Sequence, residues 1–126
     1  MRIITGEYKG RHFDIPRTFK ARPTTDFAKE NIFNVLQGYI DFEDATALDL
    51  FAGTGSISLE LVSRGCKQVV SVEADRDHAN FIRQCFKKLN EEYNKGIVDP
   101  ESFTQTYDEY ISKLSTGRVL GMIDQW

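Results

Sequence analysis

The residues whose types and spacing best suggest chemistry lie between positions 47 and 73. An apolar run reaches Asp49 and enters a turn that holds Gly53 and Gly55, and a later β-branched run ends at Glu73. Glycine lets the backbone approach a ligand without a Cβ in the way, and a helix that begins after Gly55 would point its first amides at that ligand. A carboxylate in the position of Glu73 can accept hydrogen bonds from a ribose diol. The stretch therefore predicts a site for a nucleotide-like molecule.

Two common phosphate-binding patterns do not fit this stretch. A dinucleotide fingerprint needs glycine or alanine where the chain has Ser58, and a P-loop needs a Gly-Lys-Ser/Thr run that the chain does not contain. Asp49, just before the turn, would repel a pyrophosphate and suit an ammonium group. S-adenosylmethionine has an amino acid end, a ribose and no phosphate, so it matches better than NAD. A NAD-type oxidoreductase and a purely structural βα turn remain the alternatives.

The candidate residues need a strand, a glycine turn, a helix and a second strand to hold them, which is one βαβ unit. Ahead of it, residues 2–15 predict a hairpin, because two strand-like runs flank Gly6 and Gly10. Thr25 and Asp26 predict the start of a helix. The expected buried stripe of that helix has helical spacing and consists of Ala28, Ile32, Val35, Leu36 and Tyr39.

A second helix is expected to follow Glu73, from about residue 75 to residue 89. Its predicted core stripe is Ala79, Ile82, Phe86 and Leu89. Arg76 and His78 are expected on its solvated face, and His12 on the surface of the hairpin. Cys66 and Cys85 lie in apolar patterns, so we expect two buried free thiols in a reducing compartment.

Composition and charge limit the classes of protein. The chain has 126 residues, 40% of them hydrophobic and 28% charged, as in one globular domain. No run approaches the roughly 20 apolar residues of a membrane span, and no apolar signal region precedes residue 20, so a cytoplasmic location is expected. Residues 1–40 carry a net charge of +3 and the rest −6. The basic segment fits a nucleic-acid contact or an ordinary solvated surface, and charge alone does not decide between them.

Several separated motifs resemble those of one known family. They are the runs at residues 1–6, 9–11 and 22–26, then Glu30, Phe33 and Asn34, then residues 49–55, Glu60, residues 63–65 and residues 72–73. In this order and spacing they resemble the small-subunit rRNA guanine-N2 methyltransferases (ribosomal RNA small subunit methyltransferase D). The resemblance covers about residues 1–90.

The resemblance implies a fold and a function. The fold class would be α/β, a Rossmann-like S-adenosylmethionine-dependent methyltransferase fold in truncated form, with an N-terminal hairpin and helix. Residues 1–40 would face RNA, residues 41–90 would form the donor-binding βαβα half, and residues 91–126 would be a divergent tail. The activity would be methyl transfer from S-adenosylmethionine to guanine N2 of small-subunit rRNA. The partner would be small-subunit rRNA or an assembling ribosomal subunit, and the protein would act as a monomer, without a metal and without a membrane.

The resemblance also implies which residues form the sites. Donor binding is expected from residues on the βαβ unit and on the loop before the first helix: Asp49, Phe51, Ala52, Gly53, Thr54, Gly55, Glu73, Arg22, Pro23 and Thr24. Contacts to rRNA phosphates are expected from the basic side chains of the N-terminal segment: Arg2, Lys9, Arg11, Arg17 and Lys20.

The tail departs from the family. The family's Asn/Asp-Pro-Pro-Phe/Tyr motif, which would hold the flipped guanine, is missing because the chain has no Pro-Pro. Asp99 and Pro100 are a partial echo only and predict the start of a helix. That helix would carry an apolar stripe at Phe103, Tyr107, Tyr110, Ile111 and Leu114, before a short strand at residues 119–123. No catalytic residue is therefore assigned, and a non-catalytic RNA- or S-adenosylmethionine-binding fragment is the alternative function.

Overall fold

The computed structural model describes residues 1–93 and 120–123. The elements in chain order are α1 (Asp26–Leu36), a 3₁₀ turn (Phe42–Asp44), β1 (Thr46–Asp49), α2 (Ser56–Ser63), β2 (Gln68–Val72), α3 (Arg76–Tyr93) and β3 (Leu120–Ile123). The described strands form one parallel sheet in the order β1-β2-β3. Parallel neighbours joined through helices are typical of α/β proteins, so the α/β class and the βαβ unit are confirmed.

The sheet register brings the ends of the strands into line. Asp49, the last residue of β1, is paired with Ser71 of β2, and β3 lies on the other side of β2 with Val72 paired to Ile123. The strand predicted at residues 119–123 is therefore confirmed for Leu120–Ile123, which are the residues of it that the structure describes. Within the described strands, β1 forms an edge.

The helix after β2 follows its predicted pattern. Ala79, Ile82, Phe86 and Leu89 are fully buried in the core of the protein, and α3 runs further than expected, to Tyr93. Both cysteines are buried and free. Burial raises the pKa of the Cys85 thiol to about 12, so this cysteine stays protonated and acts as a small apolar side chain.

The N-terminal hairpin is present in a reduced form. One antiparallel bridge joins Arg2 to His12, and the Ile3 amide donates to the Arg11 carbonyl at 2.9 Å. Phe13 is buried while His12 is exposed, so the expectation that His12 lies on the surface of the hairpin is confirmed. The hairpin thus contributes apolar side chains to the same core as α2 and α3.

The predicted buried stripe of α1 is wrong, although the start of the helix is right. The Thr25 hydroxyl accepts a hydrogen bond from the Ala28 amide and caps the helix. The side chains turned inward are Lys29 and Phe33, whereas Ile32, Val35 and Tyr39 are exposed, and Ala28 and Leu36 are half-buried. The reason is a buried partner for a charge: Lys29 Nζ lies 3.6 Å from Glu60 Oε1 of α2. A lysine is buried only when it is paired in this way, and its position orients the helix.

The large exposed apolar side chains of the described residues fall in two short segments. They are Phe27, Ile32, Val35, Tyr39 and Ile40 in and after α1, and Leu48, Leu50 and Phe51 at β1 and the turn after it. Single apolar side chains at a surface are common, but such a concentration shows that α1 and the edge strand are incompletely covered by the residues that the structure describes. No helix within residues 1–93 and 120–123 combines the length and the apolar character needed to cross a membrane.

Candidate functional site

The turn between β1 and α2 depends on two glycines. Gly53 has φ +60° and Gly55 has φ +83°, a region that side-chain-bearing residues rarely adopt. A Cβ on Gly55 would also lie 2.8 Å from Ile82 Cγ1 of α3. Gly55 serves as the N-cap of α2, whose helical residues begin at Ser56. The first amides of the helix are therefore presented at the turn, as the sequence predicts.

Asp49 lies just before this turn, at the end of β1, and is part of a polar network. Its Oδ2 accepts a hydrogen bond from the Ser58 hydroxyl at 2.7 Å, and the Ser71 hydroxyl donates in turn to Ser58 Oγ. Burial raises the pKa of the Asp49 carboxyl, hydrogen bonds from the side chain and backbone of Ser58 oppose that rise, and the nearby charge of Glu73 adds to it. Ser58 thus occupies the position where a dinucleotide site would have its third glycine, and it orients a carboxylate instead.

Glu73 closes the turn from the neighbouring strand. Directly after β2, its Oε1 accepts from the Gly53 amide at 2.7 Å and its Oε2 accepts from the Asp75 amide at 2.8 Å. Each carboxylate oxygen can accept a second hydrogen bond. The residue predicted to bind a ribose diol therefore also shapes the backbone that would surround the ligand.

Two carboxylates face the same edge of the sheet. Asp49 is the last residue of β1, Glu73 directly follows the adjacent parallel strand β2, and Asp49 is in register with Ser71. Ligands of open α/β sheets bind at this edge. The Asp49 and Glu73 charges repel each other, and a cationic ligand between them would relieve that repulsion. The residues present fit S-adenosylmethionine, which offers an ammonium group, a sulfonium and a ribose diol.

The loop of residues 17–23 lies over the glycine turn. The Ala21 side chain lies 3.6 Å from the point where a Cβ on Gly53 would be. The predicted donor residues Arg22, Pro23 and Thr24 directly follow Ala21 in the chain. The structure thus brings the loop and the turn together, while the Phe51 side chain in the turn is exposed.

The expectation that His78 lies on a solvated face is wrong. His78 is buried, and its Nε2 accepts a hydrogen bond from the Ala21 amide at 3.4 Å. The edge of the Phe19 ring packs against the imidazole with 4.6 Å between centroids. The loop of residues 17–23 covers this part of α3, and helical periodicity cannot report a cover that comes from a distant segment of the chain.

The predicted RNA-facing bases divide into two groups. Arg2 is paired with Asp26, with 2.7 Å between Nε and Oδ2, and the half-buried Arg11 guanidinium lies 5.5 Å from the Phe13 ring centroid. The other predicted bases are exposed, as Arg2 is, but no ion pair with a described residue is seen for them: Lys9, Arg17 and Lys20. The second group is the better placed to meet phosphate.

Asp99 and Pro100, which match only part of the family's catalytic motif, lie outside the described residues. The predicted apolar stripe from Phe103 to Leu114 also lies outside them. Sequence reasoning missed Ser58 as a site residue, and it also missed Ser71 and His78. A serine nine positions after Asp49, in the first turn of the following helix, is the one local pattern that could have indicated the Ser58 contact.

Asp49→Asn is expected to stabilise the ligand-free protein and weaken the ligand complex. The folded pKa of Asp49 lies above its ordinary value of 3.8, so at neutral pH the ionised, partly buried carboxylate costs stability that a neutral amide does not. Asparagine can still accept the Ser58 hydrogen bond. Urea unfolding should show a gain at pH 7 that disappears below pH 3.8, where aspartate is neutral in both states. Affinity for S-adenosylhomocysteine should fall about tenfold.

Asp44→Asn provides the control for that experiment, because Asp44 is exposed at the end of the 3₁₀ turn. Equal unfolding free energies of wild type and Asp49→Asn at pH 7 would contradict the destabilising burial of Asp49.

Comparison with known proteins gives a consistent match. A family model described as "Conserved hypothetical protein 95" matches residues 1–116. The ribosomal RNA small subunit methyltransferase D of Haemophilus influenzae is 38% identical over 89 residues, which are 71% of this chain and 45% of that protein. The Escherichia coli protein of the same name is 42% identical over 76 residues, which are 60% of this chain and 37% of that protein.

A solved structure agrees with the sequence matches. The Escherichia coli protein described as "Putative methyltransferase yhhF" superposes with a TM-score of 0.62 at 32% identity, covering 71% of this chain and 46% of that one. The chain thus spans about half the length of the relatives it matches. By the extent of the family match, this chain belongs to the family described as Conserved hypothetical protein 95, with a partial match to ribosomal RNA small subunit methyltransferase D.

Proposed function

We propose that this chain forms the donor-binding half of an enzyme that transfers a methyl group from S-adenosylmethionine to guanine N2 of small-subunit rRNA. The observation that carries the proposal is the position of Glu73. Its carboxylate accepts from the Gly53 amide at the same edge of the sheet where β1 ends with Asp49. The names of the relatives, rRNA methyltransferases, support the reaction class. The chain corresponds to about half of the length of these relatives. We expect the protein to work in the cytoplasm as a monomer.

Each element of the proposed site has one task. Asp49 and the turn of residues 51–55 hold the methionine end, because a carboxylate and free amides complement an ammonium and a carboxylate. Glu73 accepts from the ribose hydroxyls. Arg22, Pro23 and Thr24 line the pocket from the loop that Ala21 places against the turn. When bound, the donor supplies a methyl group on a sulfonium, and the task of these residues is to hold it in line with the acceptor amine.

The acceptor side of the reaction is the part that this chain does not provide in recognisable form. Guanine N2 is an aryl amine whose lone pair is delocalised into the ring, so it needs hydrogen-bond acceptors to localise it. In the family these come from the Asn/Asp-Pro-Pro-Phe/Tyr motif, and this sequence has no Pro-Pro. We therefore expect the isolated 126-residue chain to bind the donor and to transfer methyl to small-subunit rRNA at or near background.

Calorimetric titration with S-adenosylhomocysteine tests the proposal directly. We expect saturable binding at one site, and no binding of NADH, which carries the pyrophosphate that Asp49 would repel. Saturation by NADH without binding of S-adenosylhomocysteine would refute the proposal in favour of the oxidoreductase alternative. Donor binding together with robust methyl transfer by the isolated chain would place the acceptor groups in this chain after all.

The second candidate function is a non-catalytic RNA- or S-adenosylmethionine-binding fragment, favoured by the missing Pro-Pro motif. The two candidate functions predict different results in one experiment. Supplying the C-terminal half of a relative in trans should restore methyl transfer if the chain is half of an enzyme, and should change nothing if it is a binding fragment.

RNA affinity is expected to depend on salt through the exposed bases of the N-terminal segment. Each phosphate neutralised on a single strand contributes a slope of about −0.7 in a plot of log affinity against log salt. Replacing Lys9 and Arg17 together by alanine should flatten that slope by about 1.4, because both side chains are exposed. Filter binding to small-subunit rRNA fragments at several salt concentrations measures it.

The matched control for that experiment removes two exposed lysines that lie outside the N-terminal segment, Lys67 and Lys87. Its slope should equal that of the wild type. If both double variants flatten the slope to the same extent, the N-terminal bases are an ordinary solvated surface and have no special contact with RNA.

A further inference from the structure

We propose that His78 is a positioning residue that holds the loop of residues 17–23 against the candidate donor site. The contacts of His78 and Phe19 that hold this loop on α3 are called the strap below. The proposal takes the identity of the ligand from the proposed function, whereas the strap itself consists of contacts within the described residues. His78 lies in the first turn of α3 and is 5% exposed. Its imidazole contacts both the loop and the acidic segment after β2.

The two ring nitrogens of His78 have different partners. Nε2 accepts from the Ala21 amide at 3.4 Å, and Nδ1 lies 3.2 Å from Asp75 Oδ1. A neutral imidazole that accepts at Nε2 carries its proton on Nδ1, and Asp75 is placed to accept it. Asp75 Oδ1 also accepts from the His78 amide at 3.1 Å. The ring is thereby held with Nε2 directed at the loop and Nδ1 directed at Asp75.

An aromatic contact reinforces the polar one. The Phe19 ring meets His78 edge-on at 4.6 Å and an angle of 85°, and it meets Phe81 of α3 at 5.4 Å and 82°. Edge-to-face pairs of this geometry contribute beyond the area they bury. One backbone amide and one aromatic side chain of the loop are thus both held by the first part of α3.

These contacts and those of the candidate site form one closed ring of neighbouring residues, which is called the circuit here. The Gly53 amide donates to Glu73, the Asp75 amide donates to the same carboxylate, Asp75 faces His78, and His78 holds Ala21, which lies against Gly53. A ligand hydroxyl bound to Glu73 would order the carboxylate from which this circuit starts. Loop closure and ligand binding are therefore coupled, and by linkage each must favour the other to the same extent.

Two substitutions separate positioning from packing. Glutamine can place an acceptor near the position of Nε2, whereas asparagine reaches only the position of Nδ1. In His78→Asn, hydrogen exchange at the Ala21 amide and tryptic cleavage after Arg17 and Lys20 should rise about three- to tenfold, the loss of one hydrogen bond. In His78→Gln both rates should stay near those of the wild type. Arg76→Ala, an exposed neighbour, is the control.

The ligand arm uses S-adenosylhomocysteine as the probe. It should slow cleavage after Arg17 and Lys20 in the wild type and in His78→Gln, and its affinity for His78→Asn should fall by the same factor as loop protection falls. Thermal unfolding checks that each variant is folded. Should a His78 variant be unfolded, Phe19→Leu weakens the aromatic half of the strap without altering α3, and it should expose the same two cleavage sites.

Each outcome decides one proposal. If His78→Gln and His78→Asn open the loop equally, or neither does, His78 is a packing residue and the strap is refuted. If the loop responds as expected but the wild type binds no S-adenosylhomocysteine, the proposed function fails and the strap stands. If the ligand binds with equal affinity to open and strapped variants, the coupling is refuted.

Discussion

Replacing Glu60 by alanine is expected to lower the free energy of unfolding by about 3–5 kcal/mol, the typical cost of leaving a buried charge without its partner. Glu60 is fully buried on α2. Its carboxylate accepts from the Ile4 and Thr5 amides at 2.9 and 3.1 Å and from Arg64 Nε at 3.1 Å. It thus ties the N-terminal hairpin to α2.

The size of that loss depends on the buried ammonium of Lys29, which loses its carboxylate partner when Glu60 is removed. Lys29 is 1% exposed, and burial lowers the pKa of its ammonium below 10.5, while the charge of Glu60 partly restores it. Without Glu60 the folded protein must hold this buried ammonium with the Arg2 carbonyl as its remaining hydrogen-bond acceptor, or release its proton. Because the unfolded chain also loses that proton as the pH rises toward 10.5, the loss of stability should be smaller near that pH than at pH 7.

Urea unfolding of Glu60→Ala at both pH values measures the effect, with Glu30→Ala as the control. Glu30 is an exposed glutamate on α1, one position from Lys29, so its loss should change stability by less than about 0.5 kcal/mol. A loss below about 1 kcal/mol in Glu60→Ala would mean that the hairpin is held by its apolar contacts and not by this carboxylate.

Replacing Glu73 by alanine should weaken binding of S-adenosylhomocysteine by about ten- to a hundredfold, since one hydrogen bond to a charged acceptor contributes roughly 1.5–3 kcal/mol. The structure adds a second cause to the loss of the ribose acceptor. The same carboxylate holds the Gly53 amide at 2.7 Å, so its removal also frees the turn that would surround the ligand.

Glu73→Gln separates these two causes. Glutamine keeps one oxygen that can accept from Gly53 but removes the negative charge, so it should retain the shape of the turn and lose the charge-assisted part of the affinity. Calorimetry measures both variants, and Asp44→Ala, which removes an exposed carboxylate, should bind as the wild type does. Unchanged affinity in Glu73→Ala would remove Glu73 from the donor site.

The local features of the candidate site were predictable because they depend on residues close together in sequence. The positive φ angles of Gly53 and Gly55, the end of β1 at Asp49 and the buried stripe of α3 each follow from glycine content or from a short period of apolar residues. The short strand expected near the end of the chain is present as β3, Leu120–Ile123, and its residues are mostly apolar.

What the sequence determined by itself was therefore the βαβ unit and the residue types at its carboxyl edge. The tertiary structure alone decided which face of α1 is buried, because the pairing of Lys29 with Glu60 links positions 31 residues apart. It also decided that His78 is covered, since Phe19 and Ala21 reach it from the N-terminal segment. Period and propensity describe only neighbours along the chain, whereas the burial of a charge or an imidazole depends on the partner that a distant segment brings.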